Sequence, residues 1–99
     1  MKSVVINGKE WKLAYNLRSL FIYEEAAGHP YRGDKTIDTY LLFWAMLSAN
    51  NSDFSVEFDE LVDLCDSDMN LYQTFVEVME EHWKRVAAFV DNKKKAVTQ

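Results

Sequence analysis

The dipeptide Asn7-Gly8, placed between two short apolar runs, is the feature that most constrains the fold of this chain. Asn-Gly is the dipeptide best suited to a type I′ turn, in which both central residues adopt a positive φ. The flanking runs then pair as an antiparallel hairpin over 3–15, with Val4 opposite Trp11. Because side chains alternate along a strand, the hairpin gains one apolar face. That face consists of Val4, Ile6, Trp11 and Leu13.

A two-stranded hairpin is only marginally stable in water, so its apolar face has to pack on other elements. Its two edges carry unpaired backbone groups. The hairpin therefore either caps a helical core or accepts an added strand from a neighbouring chain.

Four segments after the hairpin have helical periodicity or helical length, at about 16–27, 36–49, 56–66 and 69–92. Asn16 is a favourable N-cap for the first of them, and Gly28 can adopt the left-handed conformation that ends it. The predicted fold class is α+β and mostly α: an N-terminal β-hairpin followed by a small bundle of about four helices. Residues 1–92 form a single globular domain, and 93–99 form a frayed basic tail.

Two of the predicted helices differ in which faces are apolar. In the first, Leu17, Leu20 and Phe21 share one face, which ends at Glu24 and indicates a helix on the surface of the core. The second contains the run 40–47, which is apolar all round and suits a central helix or a buried strand. Its length and its Leu, Ala and Met content favour the helix.

The fourth helix carries two neighbouring apolar stripes. One consists of Leu71, Phe75, Val78, His82, Val86 and Phe89, and the other of Tyr72, Val76, Met79, Trp83 and Val90. Two stripes exceed what a single helix contact needs. Either part of this helix packs against another chain, or the small bundle wraps around it on two sides.

Charge and composition exclude several classes of function. With 16 acidic against 11 basic residues the net charge is -5, which disfavours nucleic acid and anionic lipid as partners. No apolar run approaches the ~20 residues of a membrane-spanning helix. The single cysteine, Cys65, and the lack of a secretory signal indicate the cytoplasm.

The residues that carry catalysis or bind metals are sparse. The segment 66–77 has oxygen-bearing side chains at calcium-loop spacing, but Leu71 stands where the loop needs glycine, so an aspartate capping the long helix is the better interpretation. His29 and His82 have no partner at zinc spacing. Acidic neighbours and an apolar helix face raise the pKa of Cys65 rather than activate it. We expect no enzyme activity, no catalytic residue, no metal site and no cofactor.

The order of elements, with 6–13 as the hairpin, 16–20 opening a helix that contains Glu24 and Glu25, and three further helices, resembles the tail assembly chaperones of long-tailed bacteriophages and prophages. The resemblance spans about residues 4–92. It implies a protein that binds the tape-measure protein, keeps it soluble while the tail tube forms, and is absent from the mature virion. The tape-measure protein or another helix-rich protein is the implied partner, with the tail tube protein and a second copy of the chain as further candidates.

Large aromatic side chains dominate protein interfaces, and this chain has several on its second and fourth helices. We predict that the partner-binding residues are Tyr40, Trp44, Tyr72, Met79 and Trp83. Two alternatives remain from the sequence: a generic helical interaction module, either an adaptor or antitoxin-like, and a small metal-dependent or hydrolytic enzyme. Ligand-dependent thermal stabilisation would indicate the enzyme.

Overall fold

The computed structural model describes the backbone of residues 2–97 and the side chains of residues 2–91. Its elements, in chain order, are β1 (Lys2–Ile6), β2 (Lys9–Leu13), α1 (Leu17–Ala27), α2 (Thr36–Asn50), α3 (Phe58–Ser67) and α4 (Met69–Val97). The predicted class is confirmed: an antiparallel hairpin is followed by four helices, and the protein is mostly α.

The hairpin has the predicted turn and register. Asn7 and Gly8 have φ values of 54° and 78°, which lie in the left-handed region that an Asn-Gly turn accommodates. Val4 is paired with Trp11, as the two-residue turn requires. The predicted apolar face is confirmed, because Val4, Ile6, Trp11 and Leu13 are all buried.

Two asparagines at the end of α2 hold the outer side of β2. The Asn51 side chain accepts a hydrogen bond from the Lys12 backbone N–H (3.0 Å) and donates one to the Lys12 carbonyl (2.8 Å). The Asn50 side chain donates to the Ala14 carbonyl at 2.9 Å. These contacts fix the hairpin on α2 and occupy the edge of β2 at Lys12, so the hairpin caps the core at this position.

Helix α1 begins and ends where the sequence predicts. The Asn16 Oδ1 accepts a hydrogen bond from the Ser19 N–H at 2.9 Å, and Gly28 ends the helix with a φ of 80°. Asparagine is effective as a cap here because its side chain satisfies a first-turn N–H that has no partner within the helix.

The face of α1 that the sequence suggested meets the core only in part. Leu20 packs against the core, but Leu17 and Phe21 are exposed, whereas Ser19 and Tyr23 are buried. The Ser19 hydroxyl can be buried because it donates to the Asn16 side chain (2.8 Å) or the Ala14 carbonyl (3.3 Å). The helix thus buries Ser19 and Tyr23 instead of the apolar residues Leu17 and Phe21.

Helix α2 is the centre of the core, as predicted for a helix that is apolar all round. Its side chains Leu42, Phe43, Ala45, Met46 and Leu47 have no accessible surface. The Phe43 ring stacks on the Phe75 ring of α4, with centroids 5.1 Å apart. The choice of a helix over a buried strand for this segment is confirmed.

Helix α3 begins at Phe58, two residues later than predicted. Val56 lies before the helix, where its side chain is buried and its carbonyl accepts a hydrogen bond from the Trp44 indole N–H at 2.8 Å. A tertiary contact thus overrides the helical pattern of this segment.

Helix α4 runs to Val97, so the prediction that it ends at 92 is wrong. The reason is intrinsic propensity, because lysine and alanine are good helix formers and no glycine or proline interrupts this stretch. Residues 98–99 lie outside the described backbone. At the other end Asp68 accepts from the Asn70 N–H at 3.0 Å, which confirms an aspartate cap.

Candidate partner-binding surface

Helix α4 is covered by the rest of the protein over its first half only. In that half Leu71, Phe75 and Val78 are buried, and Tyr72, Val76 and Met79 are half-buried against the core. Beyond His82 the large apolar side chains become accessible to solvent. The exposed fractions are 56% for Trp83, 37% for Val86, 67% for Phe89 and 44% for Val90.

These four side chains form one continuous surface, which we call the α4 stripe (Trp83, Val86, Phe89 and Val90). Val86 lies three residues after Trp83 and three before Phe89. Val90 lies four residues after Val86 and seven after Trp83. Residues at these spacings lie on the same side of a helix, so the four side chains share one side of α4. Fifteen helical residues from 83 to 97 span about 22 Å. The protein is accordingly elongated, 53 Å along its longest axis.

The base of the projecting segment is anchored to the hairpin. The Lys2 ammonium lies 3.4 Å from Glu77 and 3.5 Å from Glu81 of α4, and these carboxylates raise the pKa of Lys2, Glu81 most of all. The His82 ring packs 4.3 Å from the Tyr15 ring. Burial, and then the charge of Arg85, lowers the pKa of His82. A neutral imidazole at this junction suits an apolar contact.

A second apolar feature lies between α2 and α3. It is an open groove of about 500 Å³. Its lining residues are Thr36, Ile37, Tyr40, Phe58, Asp59, Val62 and Asp66. The groove exposes less apolar surface than the α4 stripe. Among its large apolar side chains, only that of Ile37 is mostly exposed.

The five predicted partner-binding residues do not form one site. Tyr40 stacks on Tyr72, with ring centroids 4.9 Å apart, and both rings are half-buried. Trp44 is half-buried and its indole N–H is satisfied by the Val56 carbonyl. Only Trp83 lies in the α4 stripe. Met79, four residues before Trp83, is half-buried and packs against the core.

Sequence reasoning did not select Val86, Phe89 and Val90 as candidate site residues, although it placed them on the stripes of the fourth helix. The signal that could have selected them is length. Helix α4 has 29 residues, against 15 in α2, the next longest helix. Shorter neighbours cannot cover such a helix to its end, which leaves the apolar residues from Trp83 to Val90 accessible.

The described residues contain little that could perform chemistry. Burial, and then the charges of Asp66 and Asp68, raises the pKa of the Cys65 thiol to about 11, so the thiolate is scarce at neutral pH. His29 contacts the Pro30 carbonyl through Nδ1 at 2.8 Å. Within residues 2–91 no three His, Cys, Asp or Glu side chains gather as a metal site would require. From residue 69 onward the segment with calcium-loop spacing is helical.

No helix in the described part of the chain combines the length and the apolar character needed to cross a bilayer. Comparisons of the chain with protein-family models, with curated proteins and with solved structures find no match. The α4 stripe is therefore interpreted from its own geometry.

Proposed function

We propose that this protein is a phage or prophage tail assembly chaperone, which binds the tape-measure protein in the host cytoplasm and keeps it soluble until the tail tube forms around it. The observation that carries the proposal is the α4 stripe. Exposed apolar patches of this kind on a small protein mark sites of interaction with another protein.

The shape of the stripe suits a helical client. An amphipathic helix binds through anchors spaced three and four residues apart, and the stripe offers complementary side chains at that spacing. Trp83 and Phe89 supply the large aromatic anchors typical of binding hot spots. A tape-measure protein is a long helical protein with apolar stripes of its own, so several copies of this chain could cover one client.

The rest of the molecule supports a holding role. The buried core lies in the hairpin, in α1, α2 and α3, and in the first half of α4, so a partner on the second half of α4 need not disturb it. The net charge of -5 gives each bound copy a like charge, and this repulsion keeps a coated client dispersed.

The test is co-expression with the longest helix-rich protein encoded nearby in the source genome, with the soluble fraction and co-purification of that protein as the measurement. The native chain is expected to keep the client soluble, with several copies per client. Phe89→Ser is expected to reduce the soluble client several-fold, because it removes an aromatic anchor.

The matched control is Phe21→Ser on α1, since Phe21 is exposed to nearly the same extent (62%, against 67% for Phe89) but lies outside the stripe. It is expected to behave like the native chain. Precipitation of the client regardless of this protein would contradict the chaperone and favour a helical adaptor with a different partner.

A further inference from the structure

We propose that the α4 stripe also pairs with the same stripe of a second copy of this chain, the two helices running antiparallel in a two-fold symmetric dimer. The first support is a seven-residue repeat in α4 from Met69 to Val90, which ends where Lys93 takes the next position. The repeat has large apolar residues at alternating intervals of three and four: Met69, Tyr72, Val76, Met79, Trp83, Val86 and Val90. Such a repeat forms the seam along which two helices pack as a coiled coil.

The body of the protein covers the middle of this seam and leaves Met69 at its start exposed. Tyr72, Val76 and Met79 are packed against the core, whereas Trp83, Val86 and Val90 continue the same seam in solvent. A second helix can therefore reach the seam only from Trp83 onward, and the matching segment of another copy has the same length and the same repeat.

Charge selects the direction of the pairing. The turn just before this segment carries Glu80 and Glu81, Lys84 and Arg85 follow Trp83, and the sequence places three lysines at 93–95 near the end of the helix. A parallel pair would bring the lysines of both copies together, and like charges repel. An antiparallel pair sets the acidic turn of each copy beside the lysine-bearing turn of the other.

One register satisfies both the seam and the charges. With Val86 of one copy opposite Val90 of the other, Glu80 and Lys94 occupy equivalent flanking positions that neighbour each other in an antiparallel coiled coil. The same register brings Phe89 next to its own symmetry mate at the two-fold axis. Such an isologous contact closes on itself and gives a dimer rather than a filament.

Self-pairing requires no client, but its consequence for regulation rests on the proposed function. If the stripe is also the client site, a second copy covers it while no client is present, and client and second copy compete for the same surface. The dimer then keeps the apolar stripe covered until a client is present.

The first experiment is sedimentation equilibrium of the purified full chain, without client, over a range of concentrations. We expect twice the chain mass, and we expect Phe89→Ser to raise the dimer dissociation constant at least ~10-fold while the Phe21→Ser control leaves it unchanged. The proposal would be overturned if the chain were monomeric even at about 1 mM, a concentration at which even weak dimers form. It would also be overturned if Phe89→Ser and Phe21→Ser changed the dimer dissociation constant equally.

The second experiment tests the antiparallel register by charge reversal, with circular dichroism to verify that each variant is folded. Glu80→Lys and Lys94→Glu are each expected to weaken the dimer, and the double variant E80K/K94E is expected to restore it. In a parallel pair these positions lie apart, so a double variant no better than the single ones would overturn the antiparallel arrangement.

The two proposals fail in different ways. A monomeric chain that nevertheless keeps its client soluble refutes the dimer and leaves the chaperone function in place. A dimer with the expected response to E80K/K94E, in a chain that does not protect the client, supports self-pairing and refutes the chaperone function.

Discussion

Tyr23 shows how strongly one residue of this small core is constrained. The side chain is fully buried, with its ring edge-on to those of His29 (5.7 Å between centroids) and Tyr31 (5.2 Å). Among the described residues its hydroxyl has no hydrogen-bond partner within normal geometry. Burial, and then the nearby Asp38 carboxylate, raises the pKa of Tyr23 to about 12.

This pKa predicts a loss of stability at alkaline pH. The pKa of the phenol is higher in the folded state than in the unfolded state, so its contribution is complete below about pH 10 and is lost as the pH rises toward 12. At pH 11 the loss from Tyr23 is roughly 1 kcal/mol. Urea unfolding at pH 8 and pH 11 measures it.

The Tyr23→Phe variant is the control for that prediction. It keeps the ring and removes the titrating group, so its free energy of unfolding should fall less between the two pH values than that of the native chain. Cys65 also has a raised pKa and contributes to the fall in both proteins. Equal pH dependence in the two proteins would assign the effect to groups other than Tyr23.

At the scale of the elements, α4 combines two roles that are separated along its length. Up to Met79 it is a core helix, with Phe75 stacked on Phe43 of α2. From Trp83 onward its apolar side chains are exposed. Stability and partner binding should therefore be separable by shortening the helix.

Ending the chain after Arg85 is the corresponding prediction. The shortened protein keeps the contacts of Lys2 and Tyr15 with α4. At a concentration where the full chain is monomeric, it should unfold in urea within about 1 kcal/mol of the full chain, since exposed side chains contribute little to stability. It should lose both client protection and self-association, as measured by co-purification and sedimentation. A truncated chain that fails to fold would contradict the separation.

The elements themselves could largely be predicted from the sequence, because their signals are local. Asn7-Gly8 fixes the hairpin register, and Asn16 and Gly28 fix the ends of α1. The orientation of α1 could not be predicted in this way. The helix buries Ser19 and Tyr23, and the polar Ser19 carries no apolar signal that would reveal this.

The candidate site was predicted only in part for a similar reason. The apolar stripes of α4 are evident in the sequence, but whether a side chain in them is core or surface depends on how far the other helices reach. Tyr40 and Tyr72 illustrate this, because their rings cover each other and are half-buried instead of facing a partner. Trp83 remains exposed because it lies beyond the part of α4 that the hairpin and the other helices cover.

At the scale of the whole molecule, charge is what opposes association through the exposed apolar surface. The isoelectric point of about 4.9 means that the repulsion between copies vanishes near that pH. We predict a solubility minimum close to pH 5, measured as the protein that remains in the supernatant after incubation. Phe89→Ser should be more soluble there than the native chain, and an equal loss in both would exclude the α4 stripe as the cause.

The contact between Asn51 and Lys12 has a consequence for how copies behave when crowded. A carboxamide carries one donor and one acceptor in nearly the arrangement of a peptide group, so Asn51 imitates a single residue of a neighbouring strand. Unlike a strand, it offers no next residue from which a ladder could grow. The outer edge of β2 is terminated at this point by a side chain, and sheet growth from chain to chain, the first step toward fibrils, is blocked there.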